Sequence, residues 1–86
     1  MEYYVYIAKS KRTTWFYVGL TNNLEKRLIQ HNAGQTTSTS AYKPFEYIFV
    51  QPVSTRVTAR DLEKFLKVRY NKEAILDIIK PEWRNW

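Results

Sequence analysis

Three residues of this 86-residue chain carry charge or a titratable ring where a helix should be apolar: Glu63, Arg27 and His31. Projected at about 100° per residue, the segment after Ser54 places Ala59, Leu62, Leu66 and Tyr70 on one stripe and sets Glu63 inside it. A buried carboxylate without a partner is costly, so Glu63 should pair with a cation, bind a metal ion or lie on the floor of a water-filled cleft. Taken alone, a structural ion pair is the simplest of these. On an earlier segment Leu24 and Leu28 mark the apolar side, and Arg27 and His31, four residues apart, project beside them, leaving Lys26 and Gln30 for the outer face. Singly, Arg27 reads as one half of an ion pair and His31 as a satisfied, partly buried histidine; their coincidence on one helix edge raises the odds of a site. Tyr4 and Tyr6 share one face of a strand, and Tyr17 precedes Gly19 by two residues. Core filling is the ordinary use of such tyrosines. Gly19, without a side chain just ahead of Thr21 and a capped helix, would let a backbone or a phosphate come close.

The elements that must position these groups follow from pattern. Tyr3 to Ala8 and Trp15 to Leu20 are runs of β-formers separated by a polar stretch, which predicts a β-hairpin. Asn22 followed by Glu25 offers a capping box, and Gly34 a stop, for a helix of about eleven residues. Gln35 to Lys43, rich in Thr and Ser and followed by Pro44, reads as a loop. Phe45 to Val50 is a third strand ended by Pro52; Ser54 to Thr58 supply caps for a long helix reaching Arg69 or Tyr70, and Asn71 caps a last helix that Pro81 terminates. The order β-β-α-β-α-α predicts an α+β fold, a small three-stranded antiparallel sheet flanked by helices. One domain is expected over residues 1–86, with its core at about 3–80 and a tail at 81–86.

Composition narrows the partners. Fourteen Lys and Arg against eight Asp and Glu give a net charge of +6, which suits an anionic partner such as nucleic acid. There is no cysteine, which excludes disulfides, thiolate metal sites and cysteine nucleophiles and points to the cytoplasm. No window approaches eighteen apolar residues, so no membrane span is expected.

Tyr4-Val5-Tyr6, ten intervening residues, Tyr17-Val18-Gly19, then Arg27, His31 and Glu63 on a later helix together resemble the GIY-YIG nuclease superfamily, in particular its small single-domain bacterial branch. The resemblance runs from about Tyr3 to Lys80. The first motif has Tyr4 where the family name has glycine, and the second has Val18 for isoleucine; Asn71 is given no site role. The resemblance implies hydrolysis of phosphodiester bonds, in DNA ahead of RNA. It implies that Glu63 holds one divalent cation, Mg²⁺ ahead of Mn²⁺, and that Arg27 donates to the scissile phosphate, where a planar guanidinium can meet two oxygens. Tyr6 is then the expected general base toward water, Tyr17 its positioning partner, and His31 an orienting group or a reserve base. Tyr4, Gly19, Thr21 and Lys43 are expected to contact the nucleic acid; the hydroxyls of the Thr36 to Ser40 stretch could also donate to phosphate, but an ordinary solvated loop is the simpler reading of it. Targeting would come from the small surface itself, an oligomer or a protein partner. The alternative is a non-catalytic nucleic-acid-binding module on the same fold, and a third reading has Arg27 and Glu63 neutralise one another.

Overall fold

The computed structural model describes residues 2–37 and 39–79. The elements run β1 (Tyr3–Ser10), β2 (Phe16–Thr21), α1 (Leu24–Asn32), a short 3₁₀ turn (Ser40–Tyr42), β3 (Phe45–Val53), α2 (Arg56–Lys67) and α3 (Arg69–Ile79). The strand order is β2-β1-β3, and both pairings are antiparallel. The chain therefore has the α+β architecture expected from its pattern. The helix stop at Pro81, the tail Glu82 to Trp86 and the side chain of Tyr70 lie outside the described residues. Among the described residues no helix is long and apolar enough to cross a membrane.

β1 is the central strand, which is why its sequence is apolar or aromatic on both faces. Val5 and Ile7 point one way and form the larger core with Phe16, Val18, Ala59, Leu66 and Leu76, the last three contributed by α2 and α3. Tyr6 and Ala8 point the other way and pack with Phe45, Tyr17, Leu24, Leu28 and Tyr47 beneath α1. A register shift between Ile7 and Ala8 leaves Ile48 of β3 without a partner on β1. Such a bulge re-aims side chains: Ile48 and Phe49 both serve the larger core, while Tyr47 turns to the α1 side and donates to the Leu24 carbonyl at 2.7 Å.

Several boundaries differ from the sequence expectation. The α1 cap is Asn23 and not Asn22: its side chain accepts from the Lys26 amide at 3.0 Å, and the third helical position is Lys26, so Glu25 closes no capping box. Thr21 satisfies the Asn23 amide instead, at 3.1 Å. β2 begins at Phe16, one residue after the expected start. β3 passes through Pro52 to Val53, because at a sheet edge a missing N–H costs no ladder bond. α2 starts from Thr55, whose hydroxyl accepts from the Thr58 amide at 3.2 Å, and it ends at Lys67. α3 begins at Arg69, so Asn71 does not cap it; the Asn71 side chain donates back to the Phe65 carbonyl at 2.9 Å and closes the end of α2.

Candidate active site

Two polar systems meet at Arg27. The first is a depression of about 400 Å³ at the end of the sheet where β1 begins and β2 finishes. Tyr3, Leu20, Thr21 and Asn22 form its floor and wall; α1 contributes Asn23 as cap, then Lys26, Arg27 and Gln30; α2 contributes Arg56, Arg60 and Glu63. Each helix supplies these groups at spacings of three and four residues, so each presents one face to the depression. Four cations stand around one carboxylate. The Glu63 side chain, 13% exposed, is approached by Lys67 at 3.3 Å and Arg60 at 3.7 Å on its own helix. Arg27 and Glu63 line the same depression but form no pair with one another: Arg27 bonds Tyr6 and Gln30. The reading in which the two simply neutralise each other has no contact to support it.

The second system is buried. The Tyr6 side chain, 0% exposed, crosses the α1-side core toward His31, and its hydroxyl lies 2.8 Å from His31 Nε2. Arg27 Nε donates to the same hydroxyl at 3.3 Å. On the far side of the ring, His31 Nδ1 lies 2.9 Å from the Thr39 hydroxyl, which donates to the Thr36 carbonyl at 3.3 Å. Tyr17 stands at the edge of the His31 ring, with centroids 5.1 Å apart, and tilted to Tyr6 at 6.3 Å. Every buried polar side-chain atom among the described residues has a partner.

The electrostatics follow from this arrangement. Burial pushes the Tyr6 hydroxyl well above the usual tyrosine range, against the hydrogen bond and charge of Arg27, so Tyr6 is a neutral phenol at physiological pH. Burial, with the Arg27 charge added, lowers His31 to about 4, so the ring is neutral. Burial also lifts Tyr47 to about 12. For Arg27 burial works against the charge, but the hydrogen bond and phenolic oxygens of Tyr6, with Tyr17, more than offset it, and the guanidinium is held charged.

Tyr6, Tyr17, Arg27 and His31 are thus brought together, and Glu63 lines the depression that Arg27 also lines. Gly19 is buried beneath Tyr6: a Cβ there would collide with the Tyr6 hydroxyl and ring and stand 2.9 Å from the Tyr17 ring. Its lack of a side chain makes room for the Tyr6 hydroxyl and ring. Thr21 lines the depression, but its hydroxyl is occupied by Asn23. Tyr4 reaches out to Glu2 at 3.4 Å, and Lys43 lies over Gly34; neither lines the depression. His31 is fully buried instead of partly so. Gln30 and Lys26, expected on the outer face, line the depression. Arg56 and Arg60, seven and three residues before Glu63 and so on the same helix face, are the lining residues that the sequence reading lacks.

Among the described residues no three His, Cys, Asp or Glu side chains cluster to hold a metal. Glu63 nonetheless fits a hard divalent cation, since Mg²⁺ is commonly bound through one or two carboxylates, with waters and substrate phosphates completing its shell. A carboxylate lining an open depression beside four cationic side chains is such a donor set.

Comparison with known proteins agrees with this geometry. The GIY-YIG catalytic domain family matches residues 2–75. The chain is 35% identical to the UPF0213 protein YazA of Bacillus subtilis over 79 residues, 88% of this chain and 79% of that protein. It is 31% identical to a UPF0213 protein of Oceanobacillus iheyensis over 84 residues, covering 94% and 96% of the two chains. The solution NMR structure of the UPF0213 protein BH0048 from Bacillus halodurans is similar at a TM-score of 0.58 and 25% identity, over 96% of this chain and 92% of that one. The chain belongs to the GIY-YIG family, whose catalytic domain places it in a nuclease superfamily.

Proposed function

We propose that this chain, acting as one domain, is a metal-dependent nuclease that hydrolyses phosphodiester bonds in DNA, with the scissile phosphate seated in the depression between α1 and α2. The observation that carries this reading is the double engagement of Arg27, whose Nε holds the buried Tyr6 hydroxyl while its outer end lies in a depression lined by three further cations. A phosphate entering there displaces Gln30 from the guanidinium and receives a planar, two-point donor. Lys26, Arg56 and Arg60 meet the flanking phosphates. Glu63 is the residue that would hold the divalent cation; when bound, the cation polarises a phosphate oxygen and stabilises the leaving oxygen.

Tyr6 is the proposed base, and its environment dictates how it acts. A free phenolate is disfavoured by burial, so Tyr6 takes a proton from the attacking water only as its own hydroxyl proton passes to His31 Nε2, 2.8 Å away. Burial and the Arg27 charge make the imidazolium a weak holder of that proton, and it is released readily after the bond breaks. In the free protein Tyr6 is covered, so Arg27 must shift toward the phosphate for water to reach it. Tyr17 keeps the Tyr6 and His31 rings in place.

The test is a substrate panel of single-stranded, duplex and branched DNA and of RNA, with Mg²⁺, Mn²⁺ or a chelator. Cleavage of DNA only when a cation is present is the expected result. Tight, salt-sensitive binding with no cleavage under any condition would replace this reading with the non-catalytic binding module.

A further inference from the structure

We propose that Thr39 is a positioning residue that, together with the Arg27–Tyr6 bond on the other side of the ring, holds the proton of His31 on Nδ1 and thereby ties the turn ahead of β3 to the buried tyrosine. This rests on the reading of His31 as the acceptor of the Tyr6 proton.

Hydrogen-bond direction fixes where each proton lies. Four contacts link five groups: Arg27 Nε to Tyr6 at 3.3 Å, Tyr6 to His31 Nε2 at 2.8 Å, His31 Nδ1 to Thr39 at 2.9 Å, and Thr39 to the Thr36 carbonyl at 3.3 Å. A guanidinium only donates and a carbonyl only accepts. Arg27 therefore occupies the Tyr6 oxygen as acceptor, and the Tyr6 proton must go to His31 Nε2. His31 is then protonated on Nδ1 and donates to Thr39, whose own proton goes to Thr36. Reversing the middle of the chain would leave the proton of a tyrosine that is 0% exposed without an acceptor, a costly state for a buried polar group.

Thr39 shows its role by what it omits. It is the N-cap of the Ser40–Tyr42 turn, where a threonine hydroxyl ordinarily accepts from the amides of the turn, yet it makes no side-chain cap bond. Its hydroxyl is directed to His31 instead, and the residue is 0% exposed. The tautomer of a histidine is set by the partner of its other nitrogen. With the Nδ1 proton accepted by Thr39, Nε2 is bare and can receive the Tyr6 proton; without Thr39 an Nδ1 proton has no acceptor, and this cost shifts part of the population to the Nε2 tautomer, which blocks that transfer.

The experiment reads the tautomer directly. In protein labelled with ¹⁵N-histidine, His31 of the wild type and of Thr39→Ser should be neutral with the proton on Nδ1, and Thr39→Val should shift population to the Nε2 tautomer. In single-substrate kinetics Thr39→Val should lower kcat by about 10- to 100-fold with KM unchanged, and Thr39→Ser should restore it. A wild-type His31 protonated on Nε2 overturns the proposal whether or not the valine variant folds. So does a folded Thr39→Val chain that keeps the Nδ1 tautomer, or one that loses KM and retains kcat. If the wild type cuts no nucleic acid, the nuclease reading falls, while the tautomer measurement still decides the role of Thr39.

Discussion

Arg27 is the one side chain that belongs to both the buried chain and the open depression, and its chemistry explains why lysine is a poor substitute. A guanidinium can hold Tyr6 with Nε and a phosphate with its two outer nitrogens, whereas an ammonium is a point charge on a flexible stem. Arg27→Lys is therefore expected to lower cleavage by about 100-fold or more while leaving the fold intact, as read by circular dichroism. His31 supplies a second residue-level prediction. Its folded value of about 4 lies below the unfolded 6.5, so between those limits the unfolded chain takes up a proton that the folded chain refuses. Stability from this residue is complete above pH 6.5 and falls as the pH drops toward 4, by on the order of 3 kcal/mol. Urea titrations across that window should show a shallower slope for His31→Gln than for the wild type; identical slopes would refute the assignment. At this scale the sequence was most informative: a charge or an imidazole on an apolar helix edge is visible from spacing alone, and Glu63, Arg27 and His31 were read that way. What spacing cannot show is which charges converge. Arg56, Arg60, Lys26 and Gln30 join the depression because two helices from opposite faces of the sheet meet at its end. Thr39 passed as an ordinary loop threonine because its partner lies eight residues away.

The elements hold these groups through few contacts, so the caps matter. α1 enters the depression at its capped end, and Asn23→Ala is expected to cost about 1 kcal/mol in chemical unfolding and to weaken phosphate binding, since Lys26 and Arg27 sit one turn further on. Gly19→Ala should cost more, about 1–3 kcal/mol, because the new methyl displaces the Tyr6 ring, and it should reduce cleavage beyond what the stability loss explains. Element order was legible because β-runs, caps and turn residues alternate clearly along the chain. Boundaries failed where two residues could do one job. Asn23 displaced Asn22 because Thr21 satisfies the Asn23 amide; Pro52 stayed in β3 because that strand is an edge; Asn71 caps the end of α2 because α3 follows after a single residue, Val68. The β3 bulge that points Tyr47 at α1 left no mark that alternation could reveal.

Over the whole molecule the charge of +6 is general, but its concentration of four cations about one depression gives it direction. Binding to duplex DNA should weaken steeply with salt, and replacing Lys26, Arg56 or Arg60 by alanine should each reduce the slope of log K against log salt by about 1. An unchanged slope in all three variants would mean that the phosphates lie elsewhere. Glu63, paired with Arg60 among these cations, adds no attraction for DNA; removing it should leave affinity in a chelator unchanged or raised. The central claim, that Arg27 and Glu63 divide phosphate and cation between them, is tested most directly by cleavage of the preferred DNA at saturating Mg²⁺ by purified wild type, Arg27→Ala and Glu63→Ala. The wild type should turn over and each variant should lose at least about 100-fold, with Glu63→Ala still binding DNA. Cleavage by either variant at the wild-type rate would contradict it.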